Sequence, residues 1–296
     1  MIRNLRQMRA RRRQQIAFSY LHEMRSRYLR EYPQMACLSF DHIGIVINVH
    51  GRMDDEFLTF LQHRYGDWLK DKAVLDIGAN IGNHTLAFAN MARQVTAFEP
   101  QDTIHELCVL NARHADNVTV LKIGASDTRS KVTAAVRKDA YGSTRITEHA
   151  SENETTIEFD VAPIDEIVDT APLRIGLIKI DVEGHEPQAL AGAAQTIRAH
   201  RPVVVIEQDV SVIENGSSSA IEILRGYGYD IFEPRNNAEQ DATALPPLAR
   251  SVRRKFKHLV SGYAEPRWDL HRLDRLEQKV YQWLVALPSE GLARQE

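Results

Sequence analysis

The sequence has few cysteines and no long apolar run, and each shortage excludes a class of protein. Its two cysteines, Cys37 and Cys108, cannot form a disulfide scaffold, and neither belongs to a CxxC pair with metal-ligand spacing. The longest apolar runs, such as that at 203–206, fall far short of the about 18 residues that a membrane-spanning helix needs. The arginine-rich N-terminus is not followed by the apolar segment of an export signal. We therefore expect a cytoplasmic protein with reduced thiols.

The net charge of −3 is unevenly distributed along the chain. Residues 1–30 hold nine arginines against one acidic residue, Glu23, so this arm carries +8 and the rest of the chain −11. An acidic body excludes a basic nucleic-acid-binding core. We expect the arm either to contact an anionic surface, of membrane phospholipid or nucleic acid, or to dock on the body or on a second copy in a homodimer. No nucleic-acid signature accompanies the arginines, which favours docking, and no nucleic acid partner is expected.

Residues 1–70 form a predicted N-terminal extension. The spacing of Ala17, Leu21, Met24 and Tyr28 predicts a helix in the basic arm. Residues 37–49 are rich in β-branched side chains and predict a short hairpin, and Asp54 precedes a second predicted helix.

Residues 71–290 form a predicted α/β domain, because short apolar strands alternate there with helices, as in a mostly parallel sheet covered on both faces. The predicted strands are 73–77, 94–98, 118–123, 176–180, 203–206, 229–232 and 280–287. Two insertions interrupt the alternation. The first, at 131–160, predicts a polar hairpin with its turn at 141–143, and the second spans 236–275.

The first strand leads into the motif VLDIGANIGNHT at 74–85. A glycine-bearing turn between a strand and a helix lets a ligand approach the backbone and the first amides of the helix. A dinucleotide site would need glycine at 80 and 83, where this chain has asparagine. Asp76, two residues before Gly78, instead suits an S-adenosylmethionine site.

Two further strands end in polar side chains that suit the same cofactor. Glu99 ends the second strand, where a carboxylate can accept hydrogen bonds from a ribose diol. Ser126 and Asp127 close the third strand and offer an acceptor to an adenine amino group. Carboxyl ends of neighbouring parallel strands share one crevice, so we expect these acids to meet there.

The motifs VLDIGANIGNHTLAFA, TAFEP, GASD, IKIDVEGHE and ALAGAAQTIRAHRPVVVIE resemble the FkbM family of S-adenosylmethionine-dependent methyltransferases over about 50–235. The resemblance implies a class I, Rossmann-like fold, a doubly wound seven-stranded sheet with an antiparallel last strand. It also implies O-methylation of a hydroxyl on a sugar, glycan or polyketide-like product, with S-adenosylhomocysteine as the other product. The predicted cofactor-binding residues are Asp76, Gly78, Ala79, Asn80, Gly82, Asn83, Glu99, Pro100, Ser126, Asp127 and Asp181.

The segment DVEGHE at 181–186 ends the fourth strand in the same crevice. Methyl transfer needs a placed acceptor oxygen and a base for its proton. His185 is the first candidate for that base, since it titrates near neutrality and Pro187 predicts a helix directly after it. His185 could equally pack the turn without contacting substrate. Asp181 and Glu183 are expected to position cofactor or substrate, and Glu207 is either a substrate contact or a strand-end acid.

The sequence leaves other functions open. The alternatives are N-methylation of a peptide or other amine and a non-catalytic scaffold. Acids at strand ends have no spacing that indicates a metal site, so we expect no metal ion. The basic cluster at 250–258 predicts recognition of an anionic acceptor from the second insertion.

Overall fold

The structure, a computed structural model, describes residues 9–20, 22, 32–39, 41–137, 140–147, 151–168, 173–236 and 268–290. The helices in chain order are α1 (9–20), α2 (His42–His50), α3 (Asp55–Leu69), α4 (Asn83–Ala89), α5 (Asp102–Ala112), α6 (Ile164–Ile167), α7 (Glu186–Gly192), α8 (Ala194–His200) and α9 (Ser219–Gly226). The strands are β1 (Ala73–Ile77), β2 (Gln94–Phe98), β3 (Val118–Leu121), β4 (Gly124–Ala125), β5 (Ser130–Arg137), β6 (Ala140–Ile146), β7 (Glu154–Ala162), β8 (Ile175–Ile180), β9 (Val203–Gln208), β10 (Tyr229–Asn236), β11 (Trp268–Arg272) and β12 (Tyr281–Pro288).

The main sheet confirms the predicted class I methyltransferase fold and adds one strand to it. Its order is β11-β10-β12-β9-β8-β1-β2-β3. β12, the predicted last strand, pairs antiparallel with both β9 and β10, whereas β3, β2, β1, β8 and β9 are parallel neighbours. The additional edge strand β11 comes from the second predicted insertion and pairs antiparallel with β10.

Alternating side chains of the central strands pack against helices on the two faces of this sheet, as the apolar strands predicted. Leu75 and Ile77 belong to one core cluster, which includes residues of α7, α8 and α9. Val74 belongs to the other, which includes residues of α3 and α4. Phe57 of α3 stacks on Trp283 of β12 with ring centroids 5.2 Å apart, which fixes the N-terminal extension against the sheet.

The hairpin predicted at 37–49 is wrong, because residues His42–His50 form helix α2. The side chain of Asp41 accepts a hydrogen bond from the N–H of Ile43 and caps the helix, and Gly51 ends it at φ 84°. The β-branched residues lowered the helical propensity without deciding the structure. Within the arm, residues 9–20 are helical, which agrees with the prediction at Ala17, while Leu21, Met24 and Tyr28 lie outside the described residues.

The first insertion is a second sheet rather than a single hairpin. Its order is β4-β7-β5-β6, with β5 paired antiparallel to both β6 and β7. The predicted turn at 141–143 is wrong, since these residues lie within β6. No helix in the described ranges is both long and apolar enough to cross a membrane.

Candidate active site

The turn that follows β1, residues 78–83, is here called the cofactor turn. Gly78, Asn80 and Gly82 all have positive φ, at 76°, 51° and 90°. A Cβ atom on Gly78 would lie 1.8 Å from the carbonyl oxygen of Asp181, so only glycine lets the turn meet the end of β8. Gly82 is the N-cap of α4, so the turn presents the first amides of that helix, as the motif predicted.

Glu99 joins the end of β2 to the cofactor turn. Its Oε2 accepts a hydrogen bond from Asn80 N–H at 2.9 Å, and its Oε1 accepts one from Gln101 N–H at 3.0 Å. Burial raises the pKa of Glu99 to about 7 despite these two donors. Each carboxylate oxygen can accept a second hydrogen bond, so the side chain retains capacity for a diol.

A buried lysine links the cofactor turn to acids at the ends of β8 and β9. Lys179, 2% exposed, donates to the carbonyl oxygen of Gly78 at 2.6 Å and lies 3.4 Å from Asp76 Oδ1 and 3.5 Å from Asp181 Oδ2. Asp76 also accepts a hydrogen bond from Thr85 Oγ1 at 2.6 Å.

Asp181 and Glu207 hydrogen-bond each other, and we call them the acid pair. Burial of Asp181 opposes its ionisation, but Lys179 and the hydrogen bond from Glu207 hold the pKa of Asp181 below its usual value. Burial and the neighbouring Asp181 raise the pKa of Glu207. A proton shared by the acid pair is therefore held more readily on Glu207 than on Asp181.

His185 lies on the other side of the site, at the N-terminus of α7, where it contacts Ser126. The prediction that Ser126 and Asp127 close the third strand is wrong, since β3 ends at Leu121 and these residues follow β4 of the second sheet. Its Nε2 is 3.0 Å from Ser126 Oγ, which donates its own proton to Asp127 Oδ1 at 3.2 Å. Burial lowers the pKa of His185, which keeps the ring neutral.

A cavity of about 280 Å³ brings most of the predicted site residues together. Those that line it are Gly78, Asn80, Glu99, Pro100, Asp181, Glu183, His185 and Glu207. The other predicted residues surround it: Asp76, Ala79, Gly82, Asn83 and Ser126 are in or next to the strand ends, and Asp127 is exposed. Asn83 instead holds the N-terminal extension, donating to Met53 O and accepting from Met53 N–H, both at 3.0 Å.

Sequence reasoning missed three contributions to this site. Lys179 could have been found from the sequence, because it is a charged residue inside an otherwise apolar strand, two positions before Asp181. The second sheet supplies an apolar wall that includes Phe159 and Val161. The start of α2, at 41–43, lines the cavity too. The positions of the second sheet and of α2 depend on tertiary packing, which the local sequence pattern does not encode.

The cavity fits the cofactor that the motifs suggest. Gly78 and Asn80 line the cavity, Glu99 suits a ribose diol, and the negative charge of Asp181 suits a cationic amino acid group. Phe98, Ile104 and Phe159 would cover an apolar base. Among the described residues no group of three or more His, Cys, Asp or Glu side chains is placed to hold a metal ion.

The chain is similar to several known proteins. The hexuronic acid methyltransferase AglP of Haloferax volcanii is 28% identical over 138 residues, 46% of this chain and 56% of AglP. The match thus spans about half the length of that relative. The FkbM methyltransferase structure from Methylobacillus flagellatus is 24% identical, with a TM-score of 0.36 over 55% of this chain and 39% of that one. The precorrin-6y C5,15-methyltransferase of Geobacter metallireducens is 14% identical, with a TM-score of 0.38 over 78% of this chain and 88% of that one.

The family assignment comes from a match over a longer part of the chain. The model of the methyltransferase FkbM domain matches residues 76–245, which is more than half of the protein and includes both the cofactor turn and the acid pair. The chain belongs to the FkbM methyltransferase family.

Proposed function

We propose that the protein is an S-adenosylmethionine-dependent O-methyltransferase that acts on a hydroxyl of a sugar, glycan or polyketide-like product. One observation carries the proposal: the cofactor turn, Glu99 and the acid pair line a single cavity at the carboxyl ends of the central strands. The Haloferax relative is a hexuronic acid methyltransferase, which supports a sugar as the acceptor class.

Glu99 and the cofactor turn bind the cofactor in this proposal. Bound S-adenosylmethionine would supply an electrophilic methyl group on a sulfonium. Glu99 accepts hydrogen bonds from the ribose diol, and the cofactor turn presents its backbone to the amino acid part. Ser126 lies at the adenine side, and because His185 contacts Ser126, His185 lies at that side as well.

The acid pair is then the group nearest the acceptor. Asp181 is ionised and accepts a hydrogen bond from the substrate hydroxyl, which orients its oxygen for transfer. The hydroxyl proton passes to the Asp181 carboxylate as the oxygen forms its new bond, so the acid pair holds two protons afterwards. Glu207 stabilises the ionised Asp181 by donating its own proton in a hydrogen bond.

Three substitutions separate this assignment from a base role for His185. Asp181→Asn should lower kcat by about 100-fold or more, and Glu207→Gln, which imitates the protonated acid, should lower it much less. His185→Ala should weaken cofactor binding and leave kcat within a few-fold of the wild type. If His185→Ala instead removed turnover with cofactor affinity kept, His185 would be the base.

An acceptor screen with methyl-labelled S-adenosylmethionine tests the proposed activity. The panel contains neutral hexoses, hexuronic acids, polyketide alcohols, and amines as the comparison set. We expect label in an acid- and base-stable ether of at least one hydroxyl acceptor. Label found only in amines, or in no acceptor although the cofactor binds, would contradict O-methylation.

A further inference from the structure

Lys179 occupies a position where a buried charge is costly unless it is fully compensated. It lies on β8, in the centre of the main sheet, and is paired in register with Asp76 on β1 and with Val205 on β9. Side chains two residues apart in a strand share a face, so Asp181 and Glu207 follow on the side where Lys179 points. Four ionisable groups thus face one side of three adjacent strand ends.

The contacts of Lys179 connect two parts of the site that have different tasks. The ammonium donates to Gly78 O at 2.6 Å, in the cofactor turn, and is 3.5 Å from Asp181 Oδ2, in the acid pair. The ammonium nitrogen is also 3.4 Å from Asp76 Oδ1. Burial alone would lower the pKa of Lys179, but Asp76 and Asp181 raise it above its ordinary value, so the ammonium stays charged.

We propose that Lys179 is a positioning residue that keeps the single proton of the acid pair on Glu207 and couples this arrangement to the geometry of the cofactor turn. The ammonium lies beside Asp181, so the unprotonated carboxylate is favoured at Asp181 and the proton is favoured at Glu207. Asp181 is thereby ready to accept the hydroxyl proton. The catalytic consequence rests on the proposed function, whereas the location of the proton does not.

Other ionisable groups also act on the acid pair. Glu183 raises the pKa of Glu207, which favours the proton there as well, and His84 on α4 lowers the pKa of Asp181 less than Lys179 does. Glu99, directly after β2, interacts with Lys179 and with Asp76. None of these groups makes the close contacts to both the cofactor turn and Asp181 that Lys179 makes.

The test is a carboxyl-carbon NMR titration of Asp181 and Glu207 in the ligand-free protein. Lys179→Gln keeps a donor for Gly78 O and removes the charge. We expect the titration midpoint of Asp181 to move upward by more than about one pH unit in this variant. Thr85→Val is the matched control, since it removes the other buried hydrogen bond to Asp76 and leaves Lys179 in place. It should leave the Asp181 midpoint unchanged.

A purely structural lysine predicts another result. Lys179→Gln would then lose stability as Thr85→Val does, with the Asp181 midpoint unmoved, and the proposal would be overturned. Should Lys179→Gln fail to fold, the wild-type Lys179 Nζ resonance must still shift while the acid pair titrates, and an unchanged resonance overturns the proposal too. Absence of cofactor binding or methyl transfer would sink the proposed function and leave the titration result standing.

Discussion

At the scale of single residues, Glu99 links protonation to stability. The native pKa of about 7 lies above the ordinary value of 4.5, because the carboxyl group is buried. Between these pH values the native state binds more protons than the unfolded chain, so the free energy of unfolding falls as pH rises through this window. The ionised side chain costs folding on the order of 3 kcal/mol above it.

Glu99→Gln should therefore remove much of the fall in stability between about pH 4.5 and 7, and it should weaken cofactor binding about tenfold by removing a charged acceptor. Urea unfolding across pH measures the first effect and binding calorimetry the second. Glu158→Gln, at an exposed position, is the control and should keep the wild-type slope. An unchanged slope in Glu99→Gln would mean that Glu99 is not the titrating group.

Gly78 is the second residue whose substitution has a specific expected effect. Gly78→Ala would force a Cβ against the Asp181 carbonyl and would hold alanine at φ 76°, so the cofactor turn and the end of β8 must separate. We expect loss of cofactor binding and a fall in Tm. Gly226→Ala in α9 is the matched control, because an added Cβ there would have no atom of another part of the protein within 4 Å. It should be neutral or slightly stabilising. Retained affinity in Gly78→Ala would show that the turn does not approach the ligand.

At the scale of elements, the start of α2 lines the cavity because Asn111 of α5 holds the preceding segment. Asn111 accepts from Ala36 N–H at 2.7 Å and donates to Ala36 O at 2.9 Å and to Ile81 O at 2.7 Å. These hydrogen bonds tie the N-terminal extension to the cofactor turn. The extension is thus a wall of the site, and not only a tether for the basic arm.

Asn111→Ala should expose residues 32–39 to hydrogen exchange and should lower cofactor affinity, with a stability loss of about 2 kcal/mol from the lost hydrogen bonds. Asn117→Ala is the matched control, because Asn117 donates to Ala89 O and Ala92 O at a distance from the cavity. It should destabilise the protein comparably and leave affinity intact. If Asn111→Ala and Asn117→Ala changed cofactor affinity equally, the start of α2 would not be part of the site.

The elements also show what the sequence could and could not specify. Seven of the eight strands of the main sheet were predicted, because a strand buried on both faces has a short, nearly continuous apolar sequence. The helix at His42–His50 was not, since its β-branched composition favours a strand and its formation depends on the Asp41 cap and on packing against Ile81 and Ile104. Likewise Lys179 was visible in the sequence, but its three contacts follow from strand register, which only the folded sheet provides.

At the scale of the whole molecule, the structure describes the acidic residues of the site but little of the two basic segments. The cavity places Glu99, Asp181, Glu183 and Glu207 together, so acidic residues of the body surround the proposed cationic cofactor. The basic cluster at 250–258 lies outside the described residues, as does much of the arm at 1–30. The anionic acceptor, the membrane contact, the homodimer and the cytoplasmic location remain predictions from sequence.

The basic cluster is tested by Arg253→Ala combined with Arg254→Ala. We expect KM for hexuronic acid acceptors to rise several-fold while KM for neutral hexoses stays constant, since loss of two cations weakens attraction to an anion. A rise for both acceptor classes would indicate a packing role. Unchanged turnover of every anionic acceptor would contradict a role in recognition.

Binding calorimetry of the full chain with S-adenosylmethionine tests the central claim most directly. The account predicts one site per chain with a sub-millimolar Kd, weakened in Glu99→Gln and lost in Gly78→Ala. Absence of binding by the folded wild-type protein at these concentrations, or equal binding by the wild type and both variants, would contradict it.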